Sequence, residues 1–62
     1  MKKILVNMIQ CKRCGDIICS EHRYDLKWCR CGCVAVDGGT DYLKRLKNDP
    51  AADFAELSEY EG

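Results

Sequence analysis

The sequence has no excess of either charge. Ten Lys or Arg balance ten Asp or Glu over 62 residues, so the chain as a whole exerts little long-range attraction on phosphate. It has no apolar run near the roughly 18 residues that a membrane-spanning helix needs. It has one histidine, His22, with no evident nucleophile beside it, no glycine-rich phosphate loop and no H-E-x-x-H. Those absences argue against catalysis. Asp37 and Asp41 flank Gly38-Gly39 and read as turn chemistry rather than an acid/base pair. There is no low-complexity run and a single proline, Pro50. The start, Met1 to Gln10, is basic and then apolar, but Asn7 interrupts it and no small-residue cleavage site comes after it. It is therefore expected not to act as a signal peptide.

What is plentiful is cysteine, six in a chain that makes one small domain. So short a chain buries too little apolar surface for an easy margin of stability, and a staple is expected. The spacing points to metal rather than disulfides. Cys11-Lys12-Arg13-Cys14-Gly15 and Trp28-Cys29-Arg30-Cys31-Gly32 each place two cysteines close together with glycine after the second. Such a knuckle turns two thiolates toward one ion, and glycine takes the backbone conformation that a side chain resists. The expected ligands are Cys11, Cys14, Cys29 and Cys31, holding one structural Zn²⁺ in a closed tetrahedral site in a reducing cytoplasm.

Fourteen residues separate the pairs, just below the usual ribbon interval of roughly 15–20. The second pair is C-x-C, which leaves Cys33 a rival to Cys29 or Cys31. Trp28 is placed to cover the site and keep water from the thiolates. Lys12, Arg13 and Arg30 are placed to offset its charge. Cys19 and His22 form a further C-x-x-H pair, read as a small apolar side chain and a loop histidine rather than as an alternative ligand set or a second metal site shared with Cys33; a redox pair of Cys19 and Cys33 is also less favoured.

The remaining pattern is mainly β. Residues 3–10 and 16–20 read as strands, 21–25 as a turn, and 34–36 as a strand ending at Asp37-Gly38-Gly39. Thr40 to Lys47 reads as the return arm of a hairpin, although Tyr42, Leu43 and Leu46 also fit a helical face. Pro50 at a first helical position favours a short C-terminal helix over 51–60, against an alternating Phe54, Glu56, Ser58, Tyr60 pattern that fits a strand. Residues 1–48 are thus expected to form a zinc-ribbon-like core with two knuckles and short hairpins. Residues 49–62 form an acidic segment packed on it or extending from it.

The neutral total hides a division. Residues 1–34 carry seven basic groups against three acidic, and residues 35–62 carry three against seven. The two halves could neutralise each other, support head-to-tail self-association, or serve a charged partner.

The two knuckles, the run Val34-Ala35-Val36-Asp37-Gly38-Gly39-Thr40-Asp41-Tyr42-Leu43 and Glu56-Leu57-Ser58-Glu59-Tyr60 together resemble a family of short, uncharacterised zinc-ribbon-like proteins of bacteria and their phages. The resemblance implies the same four cysteine ligands, with Cys19 and Cys33 as additions. It implies a setting in which a small inhibitor or adaptor would fit, and no activity. The residues favour a non-enzymatic module that binds a protein partner through Tyr42, Phe54 or Tyr60 among acidic groups. The alternative is nucleic-acid binding by the basic half, with Tyr24 and Trp28 stacking on bases. No membrane partner is expected.

Overall fold

The computed structural model describes residues 3–61. They form seven short strands and, among the described residues, no helix: β1 Ile4–Cys11, β2 Ile17–Ser20, β3 Lys27–Trp28, β4 Val34–Asp37, β5 Lys44–Lys47, β6 Phe54–Glu56 and β7 Glu59–Tyr60. β1 is the central strand of one antiparallel sheet. It pairs with β2 on one edge, and with β6 and then β7 on the other. β3, β4 and β5 form a second antiparallel sheet with β4 in the middle.

The sheets meet through alternate residues. Asn7, Ile9 and Cys11 of β1, Ile18 and Ser20 of β2, and Val34 and Val36 of β4 are all buried. β4 buries three residues in a row, because Ala35, on its other face, lies in register between Trp28 and Leu46. The hairpin expected over 34–47 is present, with Asp37 to Tyr42 turning between β4 and β5.

Gly38 and Gly39 have no freedom to be anything else. Both have positive φ; a Cβ on Gly38 would overlap the carbonyl oxygen of Tyr42, and one on Gly39 would overlap the His22 backbone. The turn is also bolted to its surroundings. The Ser20 hydroxyl accepts from the Gly39 N–H at 2.9 Å and donates to the Asp25 carbonyl at 2.8 Å.

The C-terminal segment corrects the helix expected over 51–60. Asp49-Pro50-Ala51-Ala52 is a single turn. The Asp49 carboxylate accepts from the Ala51 N–H at 3.0 Å and its carbonyl accepts from the Ala52 N–H at 2.9 Å. Pro50 therefore opens a turn rather than a helix, and Ala52 drops into the core. Beyond Ala52 the chain is extended, because the second edge of β1 offers a row of backbone groups that need partners. Cys11 pairs with Phe54, Ile9 with Glu56 and Ile4 with Tyr60. The strand is interrupted between β6 and β7. There the Ser58 hydroxyl, instead of a carbonyl, takes the Met8 N–H at 3.0 Å. The acidic segment is thus part of a sheet, with Phe54 packed against the core.

One polar group joins the two sheets at the end away from the knuckles. Asn7 is wholly buried. Its amide donates to the carbonyls of Asp37 and Gly39 at 3.0 and 2.9 Å, and its oxygen accepts from Arg45 at 2.6 Å. Arg45 also grips Glu56 with two nitrogens, at 3.0 and 2.5 Å, and donates to the Ser58 hydroxyl at 2.9 Å. One arginine on β5 therefore ties β1 to the β6–β7 segment.

Candidate metal centre

The knuckles are the turns that leave β1 and enter β4. In the first, the Cys11 N–H donates to the Asp16 carbonyl at 2.9 Å and the Gly15 N–H returns to the Cys11 carbonyl at 2.8 Å. In the second, the Cys29 N–H donates to the Val34 carbonyl at 3.0 Å and the Gly32 N–H returns to the Cys29 carbonyl at 2.9 Å. Each closes with a glycine at positive φ, 77° for Gly15 and 74° for Gly32. A Cβ at either position would touch nothing within 4 Å. These two glycines answer a backbone requirement alone, unlike the crowded pair at 38–39.

The turns face each other across the two sheets. The sulfurs of Cys11, Cys14, Cys29 and Cys31 all lie within 4.8 Å of one another. Cys11 and Cys31 are 3.7 Å apart and Cys29 and Cys31 are 3.4 Å apart. A tetrahedral ion with bonds of about 2.3 Å to sulfur needs neighbouring sulfurs about 3.8 Å apart, so the donor set fits such an ion. Cys11 and Cys29 are buried, Cys14 half-buried and Cys31 exposed.

The electrostatics of the cluster favour one thiolate at the expense of another. Burial opposes ionisation of Cys29, but the backbone N–H groups of Val34 and Cys33 and the neighbouring Cys31 and Cys11 thiols outweigh it and hold its pKa at about 6. Cys14 is lowered, first by the Asp16 N–H and then by that of Cys31. Cys31 moves the other way: the Cys33 N–H favours its thiolate, but burial and the sulfurs around it push it up. Four sulfurs so close cannot all carry charge unaided, and a bound metal cation would let them.

Cys33, the rival ligand, lies outside the cluster. It is buried in the core, and its sulfur accepts from the Arg13 guanidinium at 3.2 Å. Cys19 and His22 lie outside it as well. The surroundings differ from expectation at Trp28. Trp28 does not lie in the buried core. Alternation along the strand turns Cys29 inward and Trp28 outward, and Trp28 is 43% exposed. Phe54, with Lys47 over its ring, packs against the core cluster that includes the buried cysteines. Two of the knuckle bases also pair with carboxylates of the acidic segment. Arg13 is 2.8 Å from Asp49 and Lys12 3.5 Å from Asp53, and both carboxyls are held below their ordinary pKa. For Asp49 the first cause is the Ala51 N–H, then Arg13; for Asp53 it is the Phe54 N–H, then Lys12.

The chain matches a domain family of unknown function, DUF7695, over residues 3–47. It belongs to that family. The matched span holds all four clustered cysteines and both sheets up to β5, and ends before the acidic segment. No curated protein and no solved structure matches the chain.

Sequence reasoning missed Asn7, Arg45 and Glu56 as a unit. The only signal was an asparagine in the middle of a strand, where that residue is disfavoured unless its side chain has work to do.

Proposed function

We propose that the four cysteines hold one structural Zn²⁺ and that the domain is a non-enzymatic module that binds a protein. Thiolate donors in a closed tetrahedral set favour zinc and leave no open position for a reacting water. The observation that carries the choice of protein over nucleic acid is the pairing of the knuckle bases with the acidic segment, Lys12 with Asp53 and Arg13 with Asp49. Two of the three knuckle bases are thus met by carboxylates within the molecule, which weakens any stripe of positive potential that could follow a phosphate backbone. A partner would instead meet apolar groups. Tyr24, Leu26 and Trp28 are exposed at alternate positions leading into the second knuckle, and aromatic anchors of this kind dominate protein interfaces. Phe54 is spent on the core. The resemblance to short bacterial and phage proteins makes an inhibitor or adaptor the form such binding would take.

The second reading rests on the same edge. Arg23 lies over the Tyr24 ring at 5.1 Å, and Trp28 offers a face on which a base could stack. Two measurements separate the readings. A photo-crosslinking residue in place of Trp28, used in the source cell, should capture a defined protein, and Tyr24→Ala should abolish the capture. Labelled DNA and RNA strands should show no change in anisotropy at low salt. Micromolar binding that weakens steeply with salt would overturn the protein reading.

A further inference from the structure

Residues 48–54, which lead from β5 into β6, cross both knuckles. The Asn48 N–H donates to the carbonyl of Cys33, at the exit of the second knuckle, at 2.8 Å. The Asp49 carboxylate meets Arg13 of the first knuckle at 2.8 Å. The same guanidinium nitrogen donates to the Cys33 sulfur at 3.2 Å, so Asp49 also steadies a bond that joins the two knuckles. The Asp53 carbonyl accepts from the Lys12 N–H at 3.0 Å, and Phe54 stands opposite Cys11. Between these fastenings Ala52 is buried in the core cluster that holds Cys11, Cys29 and Cys33. The Asp49-Pro50-Ala51-Ala52 turn stiffens the crossing, since the proline ring fixes one φ and the Asp49 carboxylate holds the Ala51 N–H.

We propose that residues 48–54 are a strap that sets how fast the metal exchanges: the four sulfurs part only when the strap lifts. The inference rests on the four cysteines holding a metal and adds a kinetic control to that reading. The sulfurs come from turns on two different sheets, so an ion that binds all four leaves only as the turns separate. Cys31 is exposed, and a competing ligand in solution can meet it directly. Cys11 and Cys29 are buried in the cluster to which Ala52 belongs and against which Phe54 packs. Their sulfurs come within reach when that corner opens, and the strap is the piece able to open. One alanine, a few backbone bonds and two solvent-exposed ion pairs fasten it. Exposed pairs contribute little to stability, and a segment with few buried contacts opens locally far more often than the whole fold does.

A purely electrostatic role for these groups predicts the opposite behaviour. If charge alone mattered, neutralising Asp49 would free Arg13 to face the thiolates, and the metal would be held at least as long. If the strap matters, the same substitution loosens it and the metal leaves sooner.

The test mixes the Zn²⁺-loaded full chain with a chromophoric chelator in excess and follows the transfer. The rate should level off as chelator concentration rises, because opening limits it. Asp49→Asn should raise the plateau about threefold, and Asp49→Ala, which also strips the acceptor from the Ala51 N–H, about tenfold. Both should start with one metal per chain. Glu59→Gln removes a carboxylate at the far end of β1 and should leave the rate unchanged. Amide exchange at Asn48 and Ala52 in the loaded chain should quicken in step with the plateau. A rate that rises linearly with chelator throughout, or that slows or stays the same in both Asp49 variants, overturns the strap while leaving the metal site intact. A wild-type chain that binds no metal overturns the metal reading itself, and the strap with it.

Discussion

Asn7→Ala should cost this domain more than loss of its metal-independent core contacts of similar size. The residue is fully buried and makes three short hydrogen bonds, two to the carbonyls of Asp37 and Gly39 and one from Arg45, beside a longer one to the Tyr42 carbonyl at 3.3 Å. Alanine removes all three and leaves two carbonyls and part of a guanidinium facing a void. Two neutral bonds at about 1 kcal/mol each and one to a charged group at about 1.5–3 kcal/mol give roughly 3–5 kcal/mol. That is a large part of the stability of any small domain. Asn7→Asp separates the contributions. It keeps the bond to Arg45 but turns an oxygen toward the two carbonyls, so it should be as damaging as alanine unless the charge pair dominates. The assay is urea unfolding of the metal-saturated protein, with amide exchange to locate the effect. Exchange should quicken first at the 38–42 turn, while Cys11 and Cys29 stay protected as long as metal is bound. A loss below 1 kcal/mol for Asn7→Ala, or uniform loss of protection, would refute the view that this one amide holds the far end of the sheets together.

The same geometry gives three further outcomes. Cys31→Ser should cut metal affinity sharply while Cys33→Ser leaves one metal per chain, read by elemental analysis; metal loss in the Cys33 variant would move the ligand set by two residues. Gly39→Ala should destabilise by roughly 2–3 kcal/mol, since it adds a backbone clash to a positive φ, whereas Gly15→Ala has only the φ to resist, at about 1–2 kcal/mol; equal losses by thermal melting would remove the distinction. Burial raises the Glu56 pKa, but Arg45 and Ser58 outweigh it and hold the carboxyl below its ordinary value. Its stabilising effect is thus complete above the unfolded value of about 4.3 and is lost as pH falls through the folded one. Wild type should be more stable than Glu56→Gln at pH 7, with the gap closing at low pH; a gap that does not change with pH would place the effect in packing.

How much of this was legible in the sequence depended on the range of the interaction. The knuckles, the strand from 34 and the turn at Gly38-Gly39 are set by neighbours in sequence, and they read correctly from spacing and glycine placement. The return arm over 44–47 read correctly as well, because a tight turn leaves its partner little choice. The segment after Pro50 did not. Its local signals, a proline and a Phe54–Leu57 interval, fit a helix, and what decided against one was an open edge on a strand at the other end of the chain. Trp28 was misplaced for a related reason: which face of a two-residue strand is inward is fixed by its register with Ala35 and Val36, not by adjacency to a ligand. Arg13 read as a counter-charge to the thiolates; what the sequence did not show is that the fold also brings Asp49 beside it.

The pairing of Ile9 with Glu56 and Ile4 with Tyr60 also has a consequence for synthesis. β1 leaves the ribosome long before the residues that close its second edge. Through that interval the knuckles and both hairpins can already have formed from local contacts, on the microsecond scale of such events, yet β1 still shows an unpaired edge beside apolar side chains. Edges of that kind recruit other chains. A nascent or prematurely ended chain that stops before Phe54 is thus a folded, sticky half-sheet rather than a harmless fragment, and the cell that makes this protein must either finish it quickly or clear it.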